Sequence, residues 1–237
     1  MNKNILKNQD ITVNLFYLQD GVIKVSAKNK NNKKLKIIIA KGNNSLHYDI
    51  RNDGIEETFP IEYGNGLYHV SLYENVYQNK YTIKGSIFFN VKLNKENAYE
   101  LHANQYVNYE DDSDIIKLTK KICKNETDEN IYKIICQYIQ SNYRYDYVKA
   151  LLQRNIKLPE IHESFKKKMG ICQDLAATAV AMLRSQNIPA KLMIGKADNQ
   201  NHAWVSTTIN NKEILFDPTK EIEKKKNAKK YNPERWY

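Results

Sequence analysis

The chain has 237 residues, 41% of them apolar, which is enough to bury a core in one large domain or two small ones. Its formal net charge is +10, but the basic residues are scattered and accompany neither an RNA-binding signature nor zinc-finger spacing. The charge therefore indicates solubility more than nucleic-acid binding or attachment to a membrane surface.

The sequence contains no run of about 18 apolar residues, so it predicts no membrane span. Residues 1–20 lack the apolar segment and the small-residue cleavage site of a secretory signal. We therefore expect either a cytoplasmic protein or one that reaches the cell surface or the medium after a signal has been removed.

Residues 1–105 have the pattern of β-strands. Apolar and polar residues alternate over 68–72 and 81–93, and three shorter β-rich runs at 13–18, 22–27 and 35–40 are separated by polar turns. Period-2 alternation is typical of antiparallel sheets with one solvated face. This part of the chain therefore predicts an antiparallel β-sandwich.

Residues 106–237 alternate between helical and strand patterns, so the chain as a whole is predicted to be α+β. Ser113 and Thr127 are candidate N-caps of the first two helices, and two more are predicted at 161–169 and 172–186. Strands are predicted at 191–195, 203–209 and 213–216, with Asn210-Asn211 as a tight turn between the last two. Residues 219–237 are basic and show only a weak pattern.

Cys172 is the first candidate for chemistry. The chain has two other cysteines, Cys123 and Cys136; an odd number without a CxxC pair cannot form a closed set of disulfides. Gly170 permits a sharp turn just before the helix that Cys172 begins. The free N–H groups and the dipole of a helix N-terminus favour an anion, which here is the thiolate. For a single cysteine, a buried inert thiol is the more common alternative.

His202 and Asp217 are the next candidates. An imidazole within hydrogen-bond reach of a thiol can form a thiolate–imidazolium pair, although a lone histidine is more often structural. If the strands on either side of the Asn210-Asn211 turn pair, Asp217 returns close to His202 and can orient the imidazole. The alternative for Asp217 is an Asx turn before Pro218. Together, the three side chains have the order and setting of a nucleophile, a base and an orienting acid.

This part of the sequence resembles the core of transglutaminase-like proteins. The resemblance depends on several short motifs in the correct order, which are Gly170-Ile171-Cys172-Gln173-Asp174-Leu175-Ala176, Leu183-Arg184, Ile188-Pro189-Ala190, Gly195, His202-Ala203-Trp204 and Asp217-Pro218-Thr219. A looser similarity to clostridial-type transglutaminase-like proteins covers the strand-rich first half together with residues 104–106 and 142–147.

The resemblance implies a papain-like α+β core in which Cys172, His202 and Asp217 are the catalytic triad. It implies acyl transfer on protein or peptide amides through a thioester. Apart from the resemblance, the residues themselves give no sign of a metal or cofactor. Such folds take a second oxyanion donor from an upstream side chain, for which Tyr145 is the candidate and Gln153 a weaker one. Trp204, beside the base, is a candidate wall of the cleft. Ordinary packing is the alternative for both Tyr145 and Trp204.

The sequence leaves several functions open. A peptidase or amidase would use the same triad and pass the acyl group to water. A non-catalytic binding module could retain the fold, since fold alone does not fix function. The N-terminal domain is a candidate for binding a cell surface or a partner protein. Cys172 and His202 have no third and fourth ligands at zinc spacing, and no EF-hand loop indicates calcium.

Overall fold

The computed structural model describes residues 4–153 and 157–237, so the first three residues of the predicted N-terminal domain lie outside it. The chain forms two compact units, one ending at Asn104 and the other beginning at Gln105. The combination of helices with antiparallel sheets confirms the α+β class. Within the described residues, none of the helices has the length and apolar character needed to cross a bilayer.

The first unit contains two four-stranded antiparallel sheets. One has the strand order β1-β2-β3-β6 and the other β5-β4-β7-β8. The strands are β1 (Ile5–Asn8), β2 (Ile11–Asn14), β3 (Val22–Ala27), β4 (Leu35–Lys41), β5 (Asn44–Ile50), β6 (Glu57–Pro60), β7 (Gly66–Tyr77) and β8 (Lys80–Val91). Two short 3-10 helices lie at Leu18–Asp20 and Ala98–Leu101.

The two sheets bury their facing sides against each other. Val25 and Phe59 of the first sheet and Tyr48 and Val70 of the second are all buried. Tyr48 contacts Phe59 edge to face, with ring centroids 4.9 Å apart, which joins the sheets directly. The strand predicted at 13–18 ends earlier, at Asn14, because the Asn14 side chain accepts a hydrogen bond from the backbone N–H of residue 16 and forms an Asx turn.

The second unit packs helices against a four-stranded antiparallel sheet of order β13-β12-β11-β14. Its elements are α1 (Asp114–Ile122), α2 (Asp128–Asn142), β9 (Arg144–Tyr145), α3 (Tyr147–Leu152), α4 (Ile161–Lys167), β10 (Met169–Gly170), α5 (Cys172–Arg184), β11 (Ala190–Ala197), β12 (Gln200–Ile209), β13 (Lys212–Phe216), α6 (Pro218–Ile222) and β14 (Tyr231–Trp236). The short strands β9 and β10 form a separate parallel pair.

Helix α5 is the centre of this unit. Every residue from Gln173 to Arg184 is buried, as expected for a helix that is enclosed on all sides. Its alanines allow neighbouring elements to approach closely, and it packs on β11 and β12. It ends before Asn187, whose φ of 59° is left-handed. The helix predicted at 161–169 also stops early, at Lys167, because Lys168 is left-handed with φ 52°.

The hairpin of β12 and β13 turns through Asn210 and Asn211, with φ of 50° and 61°. Positive φ at both central residues defines the two-residue turn whose twist suits an antiparallel hairpin, and asparagine tolerates it. The hairpin pairs residues from Ile209 with Lys212 up to Val205 with Phe216. It thereby returns the chain after β13 to the region where β12 begins.

Residues 219–237 are more regular than their sequence pattern indicates, since they contain part of α6 and all of β14. Strand β14 pairs with β11, and at Gly195 the two backbones come unusually close. A Cβ atom added at Gly195 would lie 2.2 Å from the backbone oxygen of Asn232. The pairing of β14 therefore depends on Gly195 of β11 more than on an alternation of apolar and polar residues within β14 itself.

Candidate active site

Cys172 is the first residue of α5, and its side chain is partly exposed. The preceding strand β10 pairs with β9 so that Gly170 lies opposite Tyr145. A Cβ atom at Gly170 would lie 2.7 Å from Ser164 Oγ and 2.8 Å from Asp174 Cβ, so the site requires glycine there. The sequence thus places a thiol at the start of a buried helix, where unpaired N–H groups favour an anion.

His202 and Asp217 form a direct contact across the hairpin. His202 Nε2 lies 2.8 Å from Asp217 Oδ2. The Asp217 side chain is fully buried, and the His202 side chain is 11% exposed. Asp217 is also the N-cap of α6, since its Oδ1 accepts a hydrogen bond from the N–H of Lys220 at 3.2 Å. Asp217 can therefore both form a turn before Pro218 and orient His202, because Oδ1 accepts the backbone N–H and Oδ2 contacts the imidazole.

The electrostatics of the pair favour a protonated imidazole. Burial lowers the pKa of His202, but the hydrogen bond and negative charge of Asp217, with a further contribution from the neighbouring Cys172, outweigh it and raise the pKa to about 9. Burial raises the pKa of Asp217, but the bond and charge of His202, with further hydrogen bonds, keep it below its ordinary value. With Nε2 engaged by Asp217, Nδ1 is the ring nitrogen left for the thiol.

Tyr231 is a residue of this site that the sequence analysis missed. Its hydroxyl donates a hydrogen bond to Asp217 Oδ2 at 2.8 Å and accepts one from the N–H of Ala228 at 3.2 Å. Because a carboxylate can only accept, Asp217 receives hydrogen bonds from an imidazole, a phenol and a backbone amide. The missed residue lies on β14, in the segment with little sequence pattern, so no local signal identified it.

Trp204 lies behind the imidazole. Its ring is nearly parallel to that of His202, with centroids 6.4 Å apart, and it packs against Tyr231 at 5.0 Å. Only 2% of Trp204 is exposed, so it supports the imidazole from the protein interior. That Trp204 forms a wall of the cleft remains a prediction. In this position it would act indirectly, by holding the His202 ring in place.

Tyr145 lies near the nucleophile. Burial raises the pKa of Tyr145 to about 12, and the nearby negative charge of Cys172 contributes in the same direction. The phenol therefore keeps its proton at neutral pH and can donate a hydrogen bond. Its ring also contacts Tyr147 edge to face, with centroids 5.0 Å apart. Gln153, the weaker candidate, is the C-cap residue of α3.

Asp174 fixes the start of the nucleophile helix. Its side chain is fully buried, and its Oδ2 accepts hydrogen bonds from the N–H of Ile171 at 3.0 Å and from Lys149 Nζ at 2.7 Å. Its Oδ1 accepts the N–H of Glu160 at 3.0 Å. One carboxylate thus joins the residue before Cys172 to α3 and to the start of α4.

The other two cysteines have different surroundings. Burial raises the pKa of Cys123 to about 11. Burial also raises the pKa of Cys136 to about 12, with a smaller opposing effect from a hydrogen bond to Tyr132. Both thiols are therefore protonated at neutral pH, as expected of packing residues. Across 4–153 and 157–237, no three side chains of His, Cys, Asp or Glu are grouped so that they could hold a metal ion.

Comparison with known proteins identifies the family. Residues 116–218 match the model of the transglutaminase-like superfamily, a range that contains Cys172, His202 and Asp217. This part of the chain belongs to the transglutaminase-like superfamily. No curated protein matches the sequence.

Several solved structures are similar to the chain. A candidate cysteine protease from Cytophaga hutchinsonii is 16% identical, with a TM-score of 0.46 over 92% of this chain and 70% of that one. The periplasmic domain of TgpA from Pseudomonas aeruginosa, bound to ethylmercury, is 13% identical, with a TM-score of 0.43 over 85% and 72%. A TGase is 22% identical, with a TM-score of 0.39 over 49% of this chain and 33% of that one.

Proposed function

We propose that the protein is a cysteine-dependent acyltransferase that acts on protein or peptide amides through a thioester on Cys172. The observation that carries the proposal is the position of His202, which hydrogen-bonds to Asp217 at 2.8 Å and is near enough to Cys172 for the two groups to interact, with its pKa raised to about 9. At neutral pH this imidazole is protonated, and its favourable partner is a thiolate.

The first half of the reaction uses both charges of this pair. The thiolate attacks the carbonyl carbon of the amide and forms a C–S bond, which places a negative charge on the carbonyl oxygen. The tetrahedral intermediate then collapses and the C–N bond breaks. The departing nitrogen takes a proton from the His202 imidazolium and leaves as an amine, or as ammonia from a primary amide. The product is a thioester on Cys172 and a neutral imidazole.

Two hydrogen-bond donors are available for the oxyanion. The backbone N–H of Cys172 belongs to the first turn of α5, where amides lack partners within the helix. The Tyr145 hydroxyl, protonated and close to Cys172, supplies the second donor. Removing one such donor from an acyl-transfer enzyme typically lowers kcat by about 10²–10³.

The second half of the reaction regenerates the enzyme. An amine attacks the thioester and gives a proton to the neutral imidazole, and the C–S bond breaks to return the thiolate and imidazolium. Water in place of the amine gives hydrolysis, and both outcomes use the same residues. We favour transfer to an amine, and we assign binding of a cell surface or a partner protein to the N-terminal unit.

The proposal is tested by the rate at which each cysteine reacts with iodoacetamide at different pH values, followed by mass spectrometry. We expect Cys172 to react below pH 7, while Cys123 and Cys136 react slowly and act as internal controls. In His202→Ala, the reaction of Cys172 at that pH should fall markedly. Equal rates at all three cysteines of the native protein would contradict the proposal and favour a non-catalytic binding module.

The acceptor is tested separately. A glutamine-containing peptide is incubated with a labelled primary amine, and the peptide products are separated by mass. Incorporation of the amine supports a transferase, whereas conversion of the amide to the acid alone supports a hydrolase. In either case Cys172→Ser is the matched control and should form neither product at a comparable rate.

A further inference from the structure

Helix α3 exposes its apolar side chains to solvent. Tyr147, Val148, Leu151 and Leu152 are 65%, 68%, 84% and 72% exposed. A surface helix normally turns its apolar face towards the core and its polar face outward. Contiguous apolar patches of this kind are rare on soluble proteins and often mark binding sites.

The same helix is fixed to the second unit by polar contacts. Asp146 caps it, with Oδ1 accepting the N–H of Lys149 at 2.8 Å. Lys149 Nζ lies 2.7 Å from the buried Asp174 and 2.8 Å from Glu160. The Tyr147 hydroxyl donates a hydrogen bond to Glu223. The apolar side chains are therefore held outward on an anchored helix.

A groove of about 650 Å³ lies beside this helix. Its volume is within the roughly 300–1,000 Å³ typical of ligand pockets. Its apolar lining comes from Tyr147, Val148, Leu152 and Met169, and Tyr145 also lines it. The other lining residues are polar or charged, namely Asp146, Lys149, Gln153, Lys157, Glu160 and Lys167. Tyr145 is also paired in register with Gly170, two residues before Cys172. One side chain thus belongs to both the groove and the proposed reaction centre.

We propose that this groove is a specificity subsite that binds a large apolar side chain of the peptide substrate, adjacent to the amide that reacts. The inference extends the proposed function, because it depends on Cys172 being the nucleophile. A substrate bound in this way covers the apolar face of α3 during the reaction and places its carbonyl group beside Tyr145. Leu151, on the same helix, does not line the groove, although it is the most exposed of the four residues.

The test uses two chloroacetamide peptides that differ only in the residue next to the electrophile, which is leucine in one and serine in the other. Cys172 displaces chloride and forms a thioether, which is measured by mass spectrometry. Each rate is divided by the rate of the same protein with iodoacetamide. We expect the native protein to favour the leucine peptide by about tenfold, as burial of one aliphatic side chain allows.

Two variants at adjacent leucines distinguish binding in this groove from non-specific attraction of the peptide to the apolar helix. Leu152→Ser should reduce the preference at least about threefold, whereas Leu151→Ser should leave it unchanged. Equal rates with the two peptides, or equal losses in both variants, would overturn the inference. So would a concentration-dependent dimer that Leu152→Ser abolishes, because the face would then bind a second copy. If Cys172 reacts slowly even with iodoacetamide, the proposed function fails, and the subsite with it.

Discussion

Replacing Asp217 by asparagine removes the charge that holds the His202 imidazole in its protonated form. The variant keeps the size of the side chain, but the negative partner 2.8 Å from Nε2 is lost. The pKa of His202 is about 9 although burial lowers it, and Asp217 is the foremost of the groups that raise it. We therefore expect the pKa in Asp217→Asn to fall towards or below the ordinary 6.5.

The size of the effect follows from these two values. At pH 8, a pKa of 9 leaves about nine-tenths of the imidazole protonated, whereas a pKa of 6.5 leaves about 3%, a change of about 30-fold. Activity is lost at alkaline pH where the imidazolium that protonates the leaving amine loses its proton. The pH at which this loss occurs should therefore fall by about the difference between the two pKa values. The variant should thus lose most activity at pH 8 and least near pH 6.

The assay is an NMR titration of the imidazole resonances. The signals of His202 are identified by their absence in His202→Gln, and the titration is repeated in Cys172→Ala to separate the contribution of the thiol. If Asp217→Asn leaves the pKa of His202 within about half a unit of the native value, the carboxylate does not control the imidazole and the reasoning fails.

Three further outcomes are expected. Tyr231→Phe removes one hydrogen bond to Asp217 without changing the ring, so the pKa of Asp217 should rise and the loss of activity on acidification should begin at higher pH, while the free energy of unfolding in urea changes by only about 1 kcal/mol. If activity is lost at the same acidic pH as in the native protein, Tyr231 is a packing residue. Asp174→Ala leaves the N–H groups of Ile171 and Glu160 without their side-chain acceptor, while Lys149 keeps Glu160, and a urea titration should show a loss of about 2–4 kcal/mol; a loss under 1 kcal/mol would show that this carboxylate does not fix the nucleophile helix. The raised pKa of His202 stabilises the fold fully below pH 6.5 and progressively less as pH rises through 9, so native stability should fall by up to about 3 kcal/mol more than that of His202→Gln over this interval.

The sequence was most informative where structure depends on local pattern. Helix α5 is indicated by a glycine, an alanine-rich apolar run and a terminating Asn187, and each of these acts within a few residues. The β12–β13 hairpin is similarly indicated by two asparagines between alternating strands. Because the hairpin fixes which residues lie opposite, a local signal was sufficient to predict the contact between His202 and Asp217.

The sequence was least informative where an element depends on distant parts of the chain. Tyr231 lies on a strand that contains a proline and is completed by the backbone of β11, so its own residues show little alternation. The partners of Asp174 include Lys149, 25 positions earlier, which no periodicity connects to it. Helix α3 (Tyr147–Leu152) was not predicted at all, because six residues are too few to establish a helical period.

The turn at Asn210 and Asn211 also determines the distance between the His202 imidazole and the Asp217 carboxylate. His202 lies eight residues before the turn, or about 26 Å along an extended strand, yet the turn sets the alignment that brings Asp217 beside it. A slip of one residue in this alignment would reverse which face each side chain of β13 occupies. A slip of two would preserve the faces but displace the carboxylate by about 7 Å along the strand. Insertions or deletions at this remote, exposed turn can therefore abolish activity in a protein that is otherwise fully folded.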